Sequence, residues 1–426
     1  MARAMKDSGI PWIGEIPVSW NVIKNKYLLE EMYSGGTPTA SNEGFYAEEG
    51  IPFVSIGDMS TTEYVNDTKK KLTEEGIKDK NLAILPAGTI LYSIYATIGA
   101  VSELQIPATI SQAMLALRLK PSFNKRFYKY NLYAMRDYIF YNANGNTQFN
   151  LNAEKVWNFS FVQSSIDEQE RIAQFLDVEC ARIDAVMEQT RASIEEYKKL
   201  KQSIITEAVT KGIRPNRSMK DSGIDWVKEI PVEWLVIPAK HLFRDSDVRK
   251  QEGDEQMTAS QQYGIITQKL YMELTGAKVV FANKGIEDWK HIEPYDFVIS
   301  LRSFQGGLEM SETTGCITWH YIVLRPCKVI HSYFYKWLFK SEIYINALQR
   351  TCNFIRDGQD LRYSNFIQVP LFEPSIGEQR EISDYLNSKC AEIEAMITKK
   401  RKLLSEMEFY KKSLIFEYVT GKKEVI

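Results

Sequence analysis

Apolar side chains recur every seven residues along two long stretches of the chain. Leu176, Ile183, Thr190, Tyr197 and Ile204 form one row, with Cys180, Met187, Ile194, Lys201 and Ala208 beside it. The arrangement returns at an offset of 210 as Leu386, Ile393, Lys400, Met407 and Leu414, with Cys390, Ile397, Leu404, Lys411 and Tyr418. Two such rows are the d and a positions of a coiled coil, because a seven-residue repeat keeps one stripe of a slightly underwound helix facing its partner. The pattern predicts two helices of about 47 residues, roughly 70 Å long at 1.5 Å per residue. Leu176, Ile183, Tyr197, Ile204, Leu386, Ile393, Leu404 and Leu414 are the candidate seam, which Thr190, Lys201, Lys400 and Lys411 interrupt. Ser165 with Glu168 and Ser375 with Glu378 fit a reciprocal capping box at the two starts. Gly212 and Gly421 stop the helices.

The duplication extends beyond the helices. "MKDSGIPWIGEIPVSW" from Met5 returns as "MKDSGIDWVKEIPVEW" from Met219, with twelve of sixteen residues identical. The chain therefore divides into an opener and first variable domain (1–164), a first helix (165–212), a linker, opener and second variable domain (213–374), and a second helix (375–426). A whole domain separates the two helices, so a short hairpin cannot pair them. An antiparallel pair with an internal pseudo-two-fold repeat accommodates the tandem copies. That layout is circular and places each opener at a helix end, where Trp12, Ile16 and Trp20, or Trp226, Ile230 and Trp234, dock as packing groups.

Between the repeats the period changes. Short β-branched and aromatic runs punctuated by Gly, Pro and Asn indicate β-rich domains with exposed loops. Helical spacing returns over Asn124–Ala143 and Tyr333–Gln349, so both domains read as α+β. The uncharged run Asn81–Ser102 is broken by Pro86, Gly88 and Gly99, which favours two buried strands around a turn over a membrane helix. Each domain ends in a polar loop, "NANGNTQFNLN" or "IRDGQDLRYSN".

Composition is that of an ordinary globular protein: of 426 residues, 44% are hydrophobic and 25% charged, and the net charge is −2. The total charge does not advertise a nucleic-acid partner, although a local basic surface is compatible with it. Cys180, Cys316, Cys327, Cys352 and Cys390 form no CxxC pair and read as reduced, buried thiols in a cytoplasmic setting. Met1–Trp20 has no apolar core flanked by a cleavage site, so no secretory signal is expected. No phosphate loop, dinucleotide fingerprint, zinc-protease helix or adenine-methyltransferase tetrapeptide is present, which argues against catalysis by this chain. Asn and Gln can pair with adenine edges, Arg with guanine, and Tyr with stacked or methylated faces. The candidate DNA-binding residues of the first domain are Tyr92, Ser93, Tyr95 and Thr97, then Asn144, Asn146, Thr147, Gln148 and Asn150, with Lys69, Lys70 and Lys71 for phosphates. Those of the second are Arg302, Ser303, Gln305, Arg356 and Gln359.

The paired helix starts Glu168-Gln169 and Glu378-Gln379, "GGTPT" with "GIPFVSIGDM", "TIGAV", and "VISLRSFQGG" followed by "YIVLRP" together resemble the specificity subunit of type I restriction-modification systems. The resemblance covers essentially the whole chain. It implies two target-recognition domains separated by two long antiparallel coiled-coil helices, each domain reading one half of a bipartite, asymmetric double-stranded DNA site. It also implies two methyltransferase subunits docked on the helical region, restriction subunits beyond them, and no membrane. The chain itself would bind no cofactor, because S-adenosylmethionine, ATP and magnesium belong to the partners. The competing readings are a stand-alone DNA-binding regulator and a coiled-coil scaffold with protein-binding heads.

Overall fold

The uncharged run Asn81–Ser102 holds two strands, Ile90–Ser93 and Val101–Leu104, paired antiparallel around a turn. They belong to a five-stranded sheet in the order Leu29–Ser34, Met114–Leu119, Ile90–Ser93, Val101–Leu104, Tyr64–Val65. Both faces of its central strands Ile90–Ser93 and Met114–Leu119 are covered, and for that reason these read as nearly continuous apolar runs. Ile90, Tyr92, Leu115 and Leu117 point to the helix Lys125–Asn144, where Phe127, Leu132 and Met135 meet them. Leu91, Met114 and Ala116 point the other way, towards Val54, Met59 and Ile110. A four-stranded sheet, Thr109–Ile110, Ile51–Val54, Lys70–Leu72 and Tyr46–Ala47, completes the domain.

The computed structural model describes residues 3–144, 151–279, 281, 285–300, 303–351 and 361–425. It divides into one unit of Met1–Thr190 with Lys402–Ile426 and another of Arg191–Arg401. In the second unit the central sheet runs Phe243–Asp245, Ile322–Pro326, Phe297–Ile299, Glu309–Met310. The same alternation operates: Phe297, Ile299 and Leu324 face the helices, and Val298 and Val323 face Met257, Ile292 and Ile317. The single helical stretch expected over Tyr333–Gln349 is two helices, Ser332–Lys340 and Glu342–Arg350. Ser341 breaks it: its hydroxyl donates to the Leu338 carbonyl and accepts from the Tyr344 N–H, ending one helix and capping the next. No helix among the described residues is long and apolar enough to cross a membrane.

The long helices are Ile166–Lys211, of 46 residues, and Ile376–Val419, of 44. Within the first unit, Leu176, Cys180, Ile183 and Met187 of the first helix join Leu414, Ile415 and Val419 of the second in one antiparallel seam continuous with the domain core. Within the second unit, Ile205, Ala208 and Val209 join Ile382, Leu386 and Cys390. Ile205 takes the buried place there and Ile204 is half-buried, as are Tyr197 and Leu404, whereas Ile393 is buried. The polar seam positions all have partners. Lys201 pairs with Glu394 at 2.6 Å and Lys411 with Asp184 at 2.6 Å, while Lys400 lies 5.7 Å from the Tyr197 ring centre. The Thr190 hydroxyl donates back to the Val186 carbonyl at 2.8 Å. Cys180, Cys316 and Cys390 are buried, but Cys327 is exposed, and Cys352 lies outside the described residues.

Each opener is a β-hairpin, Met5–Asp7 with Glu15–Pro17 and Met219–Ile224 with Val227–Pro231. The first packs at the end of the second long helix: the Lys422 ammonium donates to the Ile13 and Glu15 carbonyls at 2.8 and 2.9 Å. A Cβ on Gly421 would stand 2.5 Å from Pro17 and 3.1 Å from Trp20, so only glycine fits there. The second opener closes on the end of the first helix in the same way, with Trp234 3.4 Å from the corresponding point at Gly212.

The helix starts depart from the reciprocal capping box. The Ser165 and Ser375 hydroxyls accept from the Glu168 and Glu378 N–H groups at 3.3 Å, but the two carboxylates turn to the openers. Glu168 takes the Trp20 indole N–H at 2.8 Å and pairs with Arg3, whose guanidinium lies 5.5 Å from the Trp20 ring centre. Glu378 pairs with Arg217, which lies 5.7 Å from the Trp234 ring centre. Gln169 and Gln379, both buried, accept from the Asn124 and His331 N–H groups and donate to the Ser164 and Pro374 carbonyls. Each Glu thus holds an opener and each Gln holds a variable domain. Removing Glu378 leaves the part-buried Arg217 with only the exposed Glu233 at 2.8 Å, so Glu378→Ala is expected to cost about 1–3 kcal/mol. Glu381→Ala, which breaks the exposed Arg214 pair, is expected to leave denaturant midpoints unchanged. Equal losses for the two variants would show that the Glu378 contact does not anchor the opener.

Candidate nucleic-acid interface

Three loops converge at one end of the first domain's five-stranded sheet. The strand Ile90–Ser93 runs into a turn in which the Ser93 hydroxyl donates to the Tyr95 carbonyl at 2.8 Å and the Gly99 N–H donates back to Ser93. Ala96 is held at φ +60°, a left-handed conformation that costs a residue with a Cβ and is seldom kept without a reason. Beside this turn lies Ser111–Ala113: the Ile94 and Tyr95 N–H groups donate to the Ala113 carbonyl at 2.9 and 3.3 Å. The "GGTPT" segment packs against the same residues, since the Gly35 and Gly36 N–H groups bond Met114 and Ile110, and a Cβ on Gly35 would stand 2.0 Å from the Ser111 carbonyl oxygen.

The candidate base-contacting residues separate along this strand and turn. Tyr95 is exposed and Thr97 partly so, at the rim of the convergence. Tyr92 and Ser93 are not surface groups. Tyr92 is fully buried, edge-on to Phe159, and burial pushes its hydroxyl pKa well above the ordinary tyrosine value while the nearby Arg136 charge pulls against it. Side chains alternate along a strand, but both faces of this sheet are covered, so alternation brings Tyr92 into the core and exposure begins only past Ile94. Lys69 and Lys70 are exposed and Lys71 is half-buried; the Lys70 ammonium lies 5.4 Å from the Tyr46 ring centre. Asn146, Thr147, Gln148 and Asn150 lie outside the described residues, as does the side chain of Asn144.

In the second domain Ser303 is a structural cap. It is buried, and its hydroxyl accepts the Ser300 N–H at 2.8 Å, fixing the turn after the strand Phe297–Ile299. Arg302, Arg356 and Gln359 lie outside the described residues, and so does the side chain of Gln305. Near the same sheet end, Lys290 pairs with Asp247 at 2.8 Å and Asp245 at 3.7 Å. The hydrogen bond from Lys290 holds the Asp247 carboxyl below its ordinary pKa, while burial raises that of Asp245. Among the described residues no group of three or more His, Cys, Asp or Glu side chains could hold a metal ion. Sequence reasoning passed over Gln112, which is exposed in the Ser111–Ala113 turn, and Arg3 and Arg217 at the openers.

Residues 17–196 match the profile of the family described as the type I restriction modification DNA specificity domain. A putative type I restriction enzyme MjaX specificity subunit of Methanocaldococcus jannaschii is 24% identical to the chain over 440 aligned positions, covering 97% of this chain and 96% of that protein. The chain is similar to type I restriction specificity subunits. Its fold is also that of a protein solved in work on complex assembly and conformational transition of the type I R-M system, with a TM-score of 0.69 at 13% identity over 96% of this chain and 99% of the other. The HsdS subunit from Thermoanaerobacter tengcongensis superposes with a TM-score of 0.50 at 14% identity, over 96% and 98%. At such identities the two structures speak for the fold alone. The chain thus has two β-rich domains and two long helices, as those structures do. A buried hydroxyl without a partner is costly, and the Tyr92 hydroxyl has none among the described residues. Tyr92→Phe is therefore expected to raise stability by about 1–3 kcal/mol, read as an increased denaturant midpoint. A loss of stability would mean that the hydroxyl is satisfied.

Proposed function

We propose that this chain is the DNA-reading, non-catalytic subunit of a type I restriction-modification complex. The observation that carries this reading is the end-to-end correspondence with a specificity subunit, covering 97% of this chain and 96% of that protein, in a molecule whose two Glu-Gln helix starts each hold a different variable domain. Each domain reads one half of a bipartite, asymmetric duplex site. The long helices dock two methyltransferase subunits and set the distance between half-sites. Restriction subunits join that assembly, and S-adenosylmethionine, ATP and magnesium serve the partners' chemistry in the cytoplasm.

Mapping methylated adenines in a genome that carries this chain and its methyltransferase partner tests the reading. The expected outcome is one asymmetric site with two unlike halves. Sequence-specific binding by the purified chain, with no change on adding partner and no methylation in the cell, would instead identify a stand-alone regulator.

The ruler role has its own test. Seven residues inserted at the same heptad position in both helices keep the seam in register and add roughly 10 Å, about three base pairs of rise. The methylated site is expected to keep both half-sites and gain a longer spacer. An unchanged spacer would remove the helices from the measurement.

A further inference from the structure

The strand registers bring a second loop in each domain beside the one the sequence pointed to. In the first domain Leu115 pairs with Tyr92, and in the second Ile322 pairs with Ile299, so the two ladders correspond at an offset of 207. The turn Ser111–Ala113 of the first domain therefore corresponds to Thr318–His320 of the second. Both turns sit at the sheet end where the candidate loops begin. Gln112 in one and Trp319 in the other occupy the same position, and both are exposed.

Trp319 is unusual for its type. It is 54% exposed, and it is the most exposed of the eight tryptophans. Large indoles are normally mostly buried, because leaving so much apolar area in water forgoes a sizeable stabilisation. It is also held in place: the His320 ring stacks on it with centroids 3.5 Å apart and planes at 30°, and the Tyr321 N–H closes the turn onto the Thr318 carbonyl at 3.1 Å. One indole face rests on His320, which leaves the other face and the edge to solvent.

We propose that Trp319, backed by His320, is a wedge that enters a base step of the second half-site. This inference rests on the DNA-reading function proposed above. A preorganised aromatic plane on a turn gains most from the face of a base, and a duplex offers that face only where a step is partly unstacked. Pyrimidine–purine steps open most readily, so the wedge contributes sequence preference through deformation in the second half-site. The first domain, with an amide at the same position, contributes hydrogen bonds to a base edge instead.

The test uses the complex assembled with its methyltransferase partner and duplexes of the methylated sequence mapped in the cell, with 2-aminopurine placed in turn at positions of each half-site. Wild-type complex is expected to raise the fluorescence at one step of the second half-site. Trp319→Ala is expected to abolish that rise and weaken binding about ten- to hundredfold, leaving discrimination in the first half-site unchanged. Trp319→Phe, which keeps an aromatic face, is expected to retain part of both signals and guards against misreading a folding defect. Trp319→Ala complex that binds and unstacks like wild type would overturn the proposal, as would a variant that fails to assemble with the methyltransferase, since Trp319 would then be a protein contact. Wild-type complex without sequence-dependent binding would instead bring down the DNA-reading function itself, a result separable from the others because it needs no variant.

Discussion

A carboxylate in the first turn of each long helix is the contact on which the rest of the molecule depends. The N-terminus of a helix favours negative charge, and Glu168 and Glu378 supply it, but they also take a guanidinium from the opener. The adjacent glutamines are spent on the variable domains, through backbone groups at Asn124 and His331. Two neighbouring residues therefore join three parts of the chain at one point. Neither contact involves a side chain of a candidate interface loop, which is why domains as unlike as these two can be mounted on the same support.

The seam follows a related logic. Its polar interruptions form two ion pairs that match at the 210-residue offset, Lys201 with Glu394 and Lys411 with Asp184. Partly exposed pairs of this kind add little to stability. A lysine at a core position does, however, penalise any register in which its partner is missing, so these pairs fix how the helices align.

Much of this was legible in the residues. Heptads, Glu-Gln starts and repeated openers predict the long helices and where the openers dock. The arginines were legible too: Arg3 and Arg217 each stand two residues before the repeated Met-Lys-Asp, at the same 214-residue offset, but a comparison begun at Met5 excludes them. The candidate interface was harder to read. Tyr92 and Tyr95 are three residues apart in one apolar run, and only the covering of both sheet faces decides that the first is core and the second rim. Ser303 sits in a polar, glycine-rich stretch that looks exposed, yet its hydroxyl is used up in holding a turn. Trp319 misleads in the opposite sense, because a tryptophan between strands reads as core until the turn is seen. Ser341 ends a helix inside a run of unbroken helical periodicity, a local hydrogen-bond choice that periodicity does not record.

The division of the chain has a consequence for its synthesis. The second unit is one uninterrupted segment, Arg191–Arg401, whereas the first requires Lys402–Ile426 to complete its seam and receive its opener. The domain made first on the ribosome is thus the one finished last. At about 5–20 residues per second, Leu176, Cys180 and Ile183 wait on the order of ten seconds or more for Leu414 and Ile415 to emerge. Throughout that interval a half-built apolar stripe is open to other nascent chains and to chaperones, and neighbouring ribosomes on one message present the same stripe in the same state.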